Sequence, residues 1–401
     1  MTLECGLTVV VEPIPSVASV AVNWLLPVGA ASDPPDGDGY AAILSEMIFR
    51  GAGGLSSREH SEALDRLGVQ RSSDVGPYHM AIRATLLGSK LAEVLPLLVS
   101  MVREPALAED DLEPVRSLSL QALESLDDDP QHLVMIRLGE QHRPPPLNRH
   151  GFGDRAALER ATLEGLRNSW RARAVPGGSI LAIAGAVDPQ KAAAQLNQLL
   201  RGWTGKAVEI KASGPAHRGK LHVQQSSSQV HIALAYDAPA EPEPTSMLER
   251  LATNVLSGGS SGRLFTEVRQ KRSLCYSVGA SYRGGRDDGL VALYAGTTPE
   301  RAQETLDVCR SEIERMKAGA EQEEFDRAAV GLKSHLVMSG ESTNARAAAI
   351  GHDVFRLGRA RSLDEIAAQI NAMTLDALNA YLARREFGDF TIVSIGPTAL
   401  V

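Results

Sequence analysis

Apolar and polar residues alternate from Leu7 to Leu26, LTVVVEPIPSVASVAVNWLL, on either side of a proline break. That period of two predicts a pair of strands. The stretch PVGAASDPPDGD (27–38) is loop by its Pro, Gly and Asp content. From Gly39 to Arg50, GYAAILSEMIFR reads as a buried helix closed by the glycine-rich turn GAGG (51–54). A second helix is predicted over 56–68, with Ser56 or Ser57 as N-cap and Gly68 as its stop. YHMAIRATLL (78–87) alternates like a strand, and 90–102 and 110–126 carry helical spacing. SILAIAGAV (179–187) predicts a strand, and 188–203 a helix capped by Asp188.

The texture then changes. TGKAVEIKASGPAHRGK (204–220) is polar, rich in Gly and Lys, and lacks a helical period, as expected of an interdomain linker. Beyond it, the second half repeats the order of the first. A strand-like segment (221–238) leads to a Pro-rich acidic loop (239–245) and a helix ending in a glycine-rich turn (246–262). A hairpin comes next, SLCYSVGASYRG and LVALYAG around GRDDG, then helices at 298–319 and 320–339 and a strand at 390–396. The pattern predicts an α+β chain of two duplicated domains, 1–203 and 221–401. Each should hold a mixed, mostly antiparallel sheet packed with helices.

Composition narrows the function. The chain has 401 residues, 43% hydrophobic and 22% charged, as a globular protein of two domains should. A net charge of −8 argues against wrapping nucleic acid, which demands a basic footprint, and weakly favours basic peptides. Cys5, Cys275 and Cys309 have no paired spacing, so neither a disulfide framework nor a cysteine zinc site is expected. No apolar run is long enough to span a bilayer. The N-terminus lacks a basic segment followed by an apolar one, so a cytoplasmic location is expected, or a periplasmic one if a signal peptide has been removed.

The segment GYAAILSEMIFRGAGGLSSRE (39–59) resembles the pitrilysin-like metallopeptidases, which include insulin-degrading enzyme and the mitochondrial processing peptidase. The resemblance extends over most of the chain, through IAGAVDP (183–189) to GGSSGRLFTEVRQKRSLCYSVGA (258–280). In that family the first helix carries H-x-x-E-H. Two histidines on one helix face bind zinc and the glutamate activates water. Here the family's first histidine falls on Ala42, its glutamate on Ser45 and its second histidine on Glu46. The later glutamate ligand falls at about Gln121 or Ala122. The resemblance therefore implies a degenerate zinc motif and no metal in this chain.

The same resemblance places the family's functional arginine at Arg269 and its tyrosine at Tyr276. Both can donate to the oxygen that becomes negative as a peptide carbonyl is attacked. In two-domain bacterial members this pair reaches the zinc of the other subunit. The resemblance thus implies half of a clamshell: the non-zinc subunit of a heterodimeric zinc endopeptidase, inactive alone, acting on unfolded peptides. Structural readings stand beside these. Arg269 can be a solvated helix residue. Tyr276 shares strand parity with Leu274 and Val278 and can pack in the core. Gly258, Gly259 and Ser260 can approach a peptide backbone or merely cap a helix. Glu46 can be a carboxylate satisfied by a neighbour.

Other motifs carry less. GPAHRGKL (214–221) fits G-x-x-x-x-G-K, but Leu221 stands where a magnesium-binding Ser or Thr belongs, and a strand comes after it. DDD (127–129) before Pro130 reads as a helix exit. The ten histidines include no i, i+4 pair; His60, His79 and His150 are candidates to meet in space. Two alternatives to the lending subunit remain: a catalytically silent structural subunit of the same fold, and a module that binds extended peptides at a sheet edge.

Overall fold

The strands expected in each half form, and they pair in the same order twice. The computed structural model describes all 401 residues. In chain order the first half contains β1 (Thr8–Pro13), β2 (Ser19–Leu26), α1 (Tyr40–Met47), α2 (Ser57–Arg66), β3 (Gln70–Val75), β4 (Met80–Leu87), α3 (Leu91–Arg103), α4 (Glu109–Glu124), α5 (Pro130–His142), α6 (Arg155–Arg160), α7 (Leu163–Arg173), β5 (Ile180–Gly185) and α8 (Pro189–Leu199). The second half contains β6 (Lys220–Gln224), β7 (Val230–Ala238), α9 (Ser246–Ser257), β8 (Cys275–Gly284), β9 (Gly289–Thr297), α10 (Ala302–Arg315), α11 (Gln322–Gly340), α12 (Thr343–Leu357), α13 (Leu363–Ala372), α14 (Leu375–Arg384) and β10 (Thr391–Gly396).

One five-stranded sheet runs β1-β5-β2-β4-β3 and the other β6-β10-β7-β9-β8. Numbered within its half, each is first-fifth-second-fourth-third. In both, the first strand is parallel to the fifth and every other pairing is antiparallel. Identical order and sense in two sheets is the mark of a duplicated α+β domain. The segment before β6 stays irregular, and residue 220 opens a strand rather than the helix a phosphate loop requires.

The chain divides into two compact units that do not follow its halves. Unit 1 comprises residues 1–125, 144–215 and 340–355; unit 2 comprises 126–143, 216–339 and 356–401. Each half thus gives a helix to the other unit. In unit 1, one face of the sheet packs against α1, α3, α4, α7 and α8. The opposite face, at Leu25, Ala81 and Ile180, is covered by Val354 and Phe355 of α12. Close approach there depends on Gly351, because a Cβ at that position would lie 3.2 Å from the Ala182 Cβ and 3.3 Å from the Asn23 amide nitrogen.

In unit 2, β7, β8 and β9 bury one face against α9, α10, α11 and α14. α5 lies on the other face, against β7, β9 and β10. The helix exit expected at DDD is also an entry: Asp129 caps α5 by accepting the His132 N–H at 3.1 Å, and Pro130 takes the first helical turn. At its far end His142 is buried. Its Nδ1 lies 2.9 Å from the Thr391 hydroxyl and 3.2 Å from an Arg218 nitrogen, and its Nε2 lies 3.3 Å from Asp237. Arg218 can only donate, so Nδ1 is the acceptor and Nε2 carries the hydrogen toward Asp237. His142, and then Arg218, hold the Asp237 carboxyl well below the usual carboxylate range.

Candidate functional site

The first candidate region is α1. Its start is held from outside the helix. The N–H groups of Gly39 and Ala41 donate to the Asp33 carboxylate at 2.9 and 3.0 Å, and an Arg173 nitrogen donates to it at 2.7 Å. The Asp33 side chain is only 1% exposed. Burial pushes its pKa up to about 6, against the lowering effect of Arg173 and the two N–H groups.

Along α1, Ala42 presents a methyl group. Ser45 is buried and donates its hydroxyl to the Ala42 carbonyl at 2.7 Å, the back-bonding typical of a serine inside a helix. Glu46 is exposed. α4 packs on α1, but Gln121 and Ala122 are both exposed and neither is a carboxylate. A catalytic zinc wants three protein ligands. No three His, Cys, Asp or Glu side chains converge as metal ligands, so the residues present do not fit the metal. The histidines do not substitute. His60 lies against the Leu97 carbonyl at 3.3 Å. The His79 ring meets Phe355 edge-on at 4.6 Å, and His150 accepts the Phe152 N–H at 3.2 Å.

The second region, residues 258–280, departs from regular backbone three times. Phe265–Gln270 forms a π-helical turn, in which the Lys271 N–H reaches the Thr266 carbonyl at 2.9 Å. Ser273 takes φ +52°, uncommon for a residue with a side chain. A β-bulge then falls between Cys275 and Ser277, so Tyr276 has no partner on β9. π-Turns and bulges recur at functional sites, where they re-aim side chains.

The bulge decides where Tyr276 points. Cys275 pairs with Thr297 and is buried, while Tyr276 is 63% exposed and makes no hydrogen bond. The core placement that strand parity allows is therefore not the one adopted. Tyr282, Tyr294 and Tyr381 in the same unit do have partners, at Pro239, His231 and Glu249. Arg269 shows the same contrast. Its neighbours Lys271 and Arg272 both pair with Glu267, and Arg263 holds Glu324. Arg269 only stacks on the Phe265 ring, 4.9 Å from its centre, and its donors stay free.

A small lattice of hydrogen bonds joins the two residues. The Ser273 N–H donates to the Arg269 carbonyl at 3.1 Å and the Leu274 N–H to the Val268 carbonyl at 2.9 Å. The Leu274 carbonyl accepts the Thr297 hydroxyl at 2.5 Å and the Thr305 hydroxyl at 3.3 Å. Arg269 is close enough that its charge favours the Cys275 thiolate, though burial outweighs it and raises that thiol's pKa.

The glycine-rich turn lies against the same strand. The Ser257 hydroxyl, at the end of α9, accepts the edge-facing Ala280 N–H at 2.8 Å. Gly258 is the helix C-cap, and a Cβ on it would lie 1.8 Å from the Asn254 Oδ1 and 2.4 Å from the Asn254 carbonyl oxygen. Gly259 takes φ +130° with open space around it, and Ser260 is exposed. Gly258→Ala is therefore expected to loosen the end of α9 and lower unit 2 stability by about 1–3 kcal/mol. Denaturant melts monitored by circular dichroism would check this.

Comparison with known proteins bears on both regions. The family model described as insulinase (peptidase family M16) matches residues 8–150, and that described as peptidase M16 inactive domain matches residues 160–332. The chain belongs to peptidase family M16. A relative of this M16 chain, an uncharacterized zinc protease of Bacillus subtilis (strain 168), is 25% identical over 405 residues, spanning 99% of the chain and 98% of the relative. The fold is shared with the crystal structure of a peptidase M16 inactive domain from Pseudomonas fluorescens, at TM-score 0.89 and 22% identity over 100% of the chain and 98% of that one. A protease from Helicobacter pylori is also similar, at TM-score 0.87 and 19% identity over 98% of each. No helix of the M16 chain is long and apolar enough to cross a membrane.

Proposed function

We propose that this chain is the non-zinc subunit of a two-chain zinc endopeptidase that cleaves unfolded peptides. It lends Arg269 and Tyr276 to a homologous partner whose first helix carries an intact H-x-x-E-H. The observation that carries this reading is a pair of hydrogen-bond donors, set on a π-turn and a bulge, with no acceptor in their own chain. Attack on a peptide carbonyl leaves negative charge on its oxygen, and fixed donors aimed at that oxygen lower the barrier. A phenol and a guanidinium suit the task, and neither must give up an existing bond to do it. The helix that would hold the metal has lost its ligands, so the hydrolytic centre belongs to the partner. The name of the Bacillus relative, a zinc protease, supports peptide hydrolysis as the reaction class.

The test is reconstitution. The purified chain is expected to cleave no peptide alone. Mixed with a homologous chain carrying H-x-x-E-H, it is expected to give endopeptidase activity that peaks at equimolar ratio. Unaided cleavage by the single chain, or an intact-motif partner equally active without it, would overturn the reading.

A further inference from the structure

Two arginines of unit 2, Arg143 and Arg283, come to one corner of its sheet and neither is in an ion pair. β8 is the outer strand of its sheet, and Ser277, Ser281 and Arg283 are exposed on the face that carries α5. Register locates Arg283. It pairs with Leu290 of β9, which pairs with Asp237 of β7, the residue that meets His142 at the end of α5. Arg143, next after His142, is the C-cap of that helix. Two strand spacings, about 10 Å, separate Arg283 from Asp237, a gap that two long arginine side chains close. Partial desolvation of its guanidinium by the surrounding chain, and then the charge of Arg143, lower the pKa of Arg283. Elsewhere in the unit Arg218, Arg250, Arg361 and Arg385 each hold a carboxylate. Arg143 and Arg283 hold none, so two like charges are left unpaired at this corner of the sheet.

We propose that Arg143 and Arg283 form a subsite for a peptide carboxylate, either the C-terminal group or an acidic side chain. Two planar forks around one carboxylate relieve the repulsion between them and fix the anion by paired hydrogen bonds. The ledge from Ser277 to Arg283 spans seven residues of β8, about 20 Å. A carboxylate held at Arg283 thus leads an extended peptide toward Tyr276, with some six residues between. The proposal rests on the reading that this chain handles extended peptides, not on the lending of Arg269 and Tyr276.

The test uses the full chain and three fluorescent, N-acetylated octapeptides of one uncharged sequence. One ends in a free carboxylate, one in an amide, and one in an amide with a penultimate glutamate. Fluorescence anisotropy is expected to show one of the two acidic peptides bound about 10–100-fold more tightly than the amide, and which one identifies the source of the carboxylate. Arg283→Gln and Arg143→Gln are each expected to erase that preference while melting no lower than the parent, since neither side chain has a partner to lose. Equal affinity for all three peptides, or a preference that survives both substitutions, refutes the subsite and leaves peptide binding intact. Failure of all three to bind refutes the subsite and peptide handling together.

Discussion

Replacing Tyr276 by phenylalanine is expected to lower turnover of the reconstituted pair by about 10²–10³-fold, the usual loss when one oxyanion donor is removed. The substitution deletes a single hydroxyl that bonds to nothing in its own chain and sits on a side chain 63% exposed. Stability should therefore be unchanged, and equal melting curves for parent and variant are the control. The loss should fall on kcat and leave KM nearly constant, because the donor acts on charge that exists only in the transition state. Arg269→Gln is expected to behave alike, since the Arg269 side chain stacks on Phe265 and holds no carboxylate. The double variant should lose less than the product of the single losses, because the two donors share one oxygen. Cleavage at the parental rate by both single variants would show that the pair is structural decoration.

The route by which the chain presents these donors was only partly legible in the sequence. Duplication was legible, because each half repeats strand, proline loop, helix and glycine turn, and both sheets share one strand order. That Ala42, Ser45 and Glu46 stand where the resemblance puts H-x-x-E-H is read from the sequence alone. The side of the strand on which Tyr276 lies is not. Parity counts assume a regular ladder, and one extra residue at the bulge between Cys275 and Ser277 moves the ring from core to solvent. The π-turn that lifts Arg269 escaped for a related reason, since FTEVRQ carries no period that distinguishes it from an ordinary helix. α5 and α12 escaped because each packs on the sheet built by the other half of the sequence. Their apolar positions answer a surface encoded far away in the sequence. The arginine pair at 143 and 283 belongs to the same class, joined by strand register rather than by neighbours in sequence.

Asp33→Ala is expected to destabilise unit 1 by about 3–5 kcal/mol, the typical result of removing one partner of a buried ion pair. Arg173 would be left nearly buried with its charge unmatched, and the N–H groups of Gly39 and Ala41 would lose their acceptor at the start of α1. The effect can be read separately from unit 2, because all three tryptophans, Trp24, Trp170 and Trp203, lie in unit 1. Their fluorescence in urea should report the shift, while unit 2 donors keep their geometry. Proton linkage gives a sharper version of the same test. Burial raises the Asp33 pKa to about 6 from an ordinary value of 3.8, so the native state holds a proton more tightly than the unfolded chain does. That contribution is fully present below the unfolded pKa and is lost as pH rises through about 6. Between pH 7 and pH 5 the parent should therefore gain about 1 kcal/mol over Asp33→Asn, which does not titrate. The opposite slope, with the parent losing ground in acid, would mean that the charge of Arg173 outweighs burial and that Asp33 stays ionised as the anchor of α1.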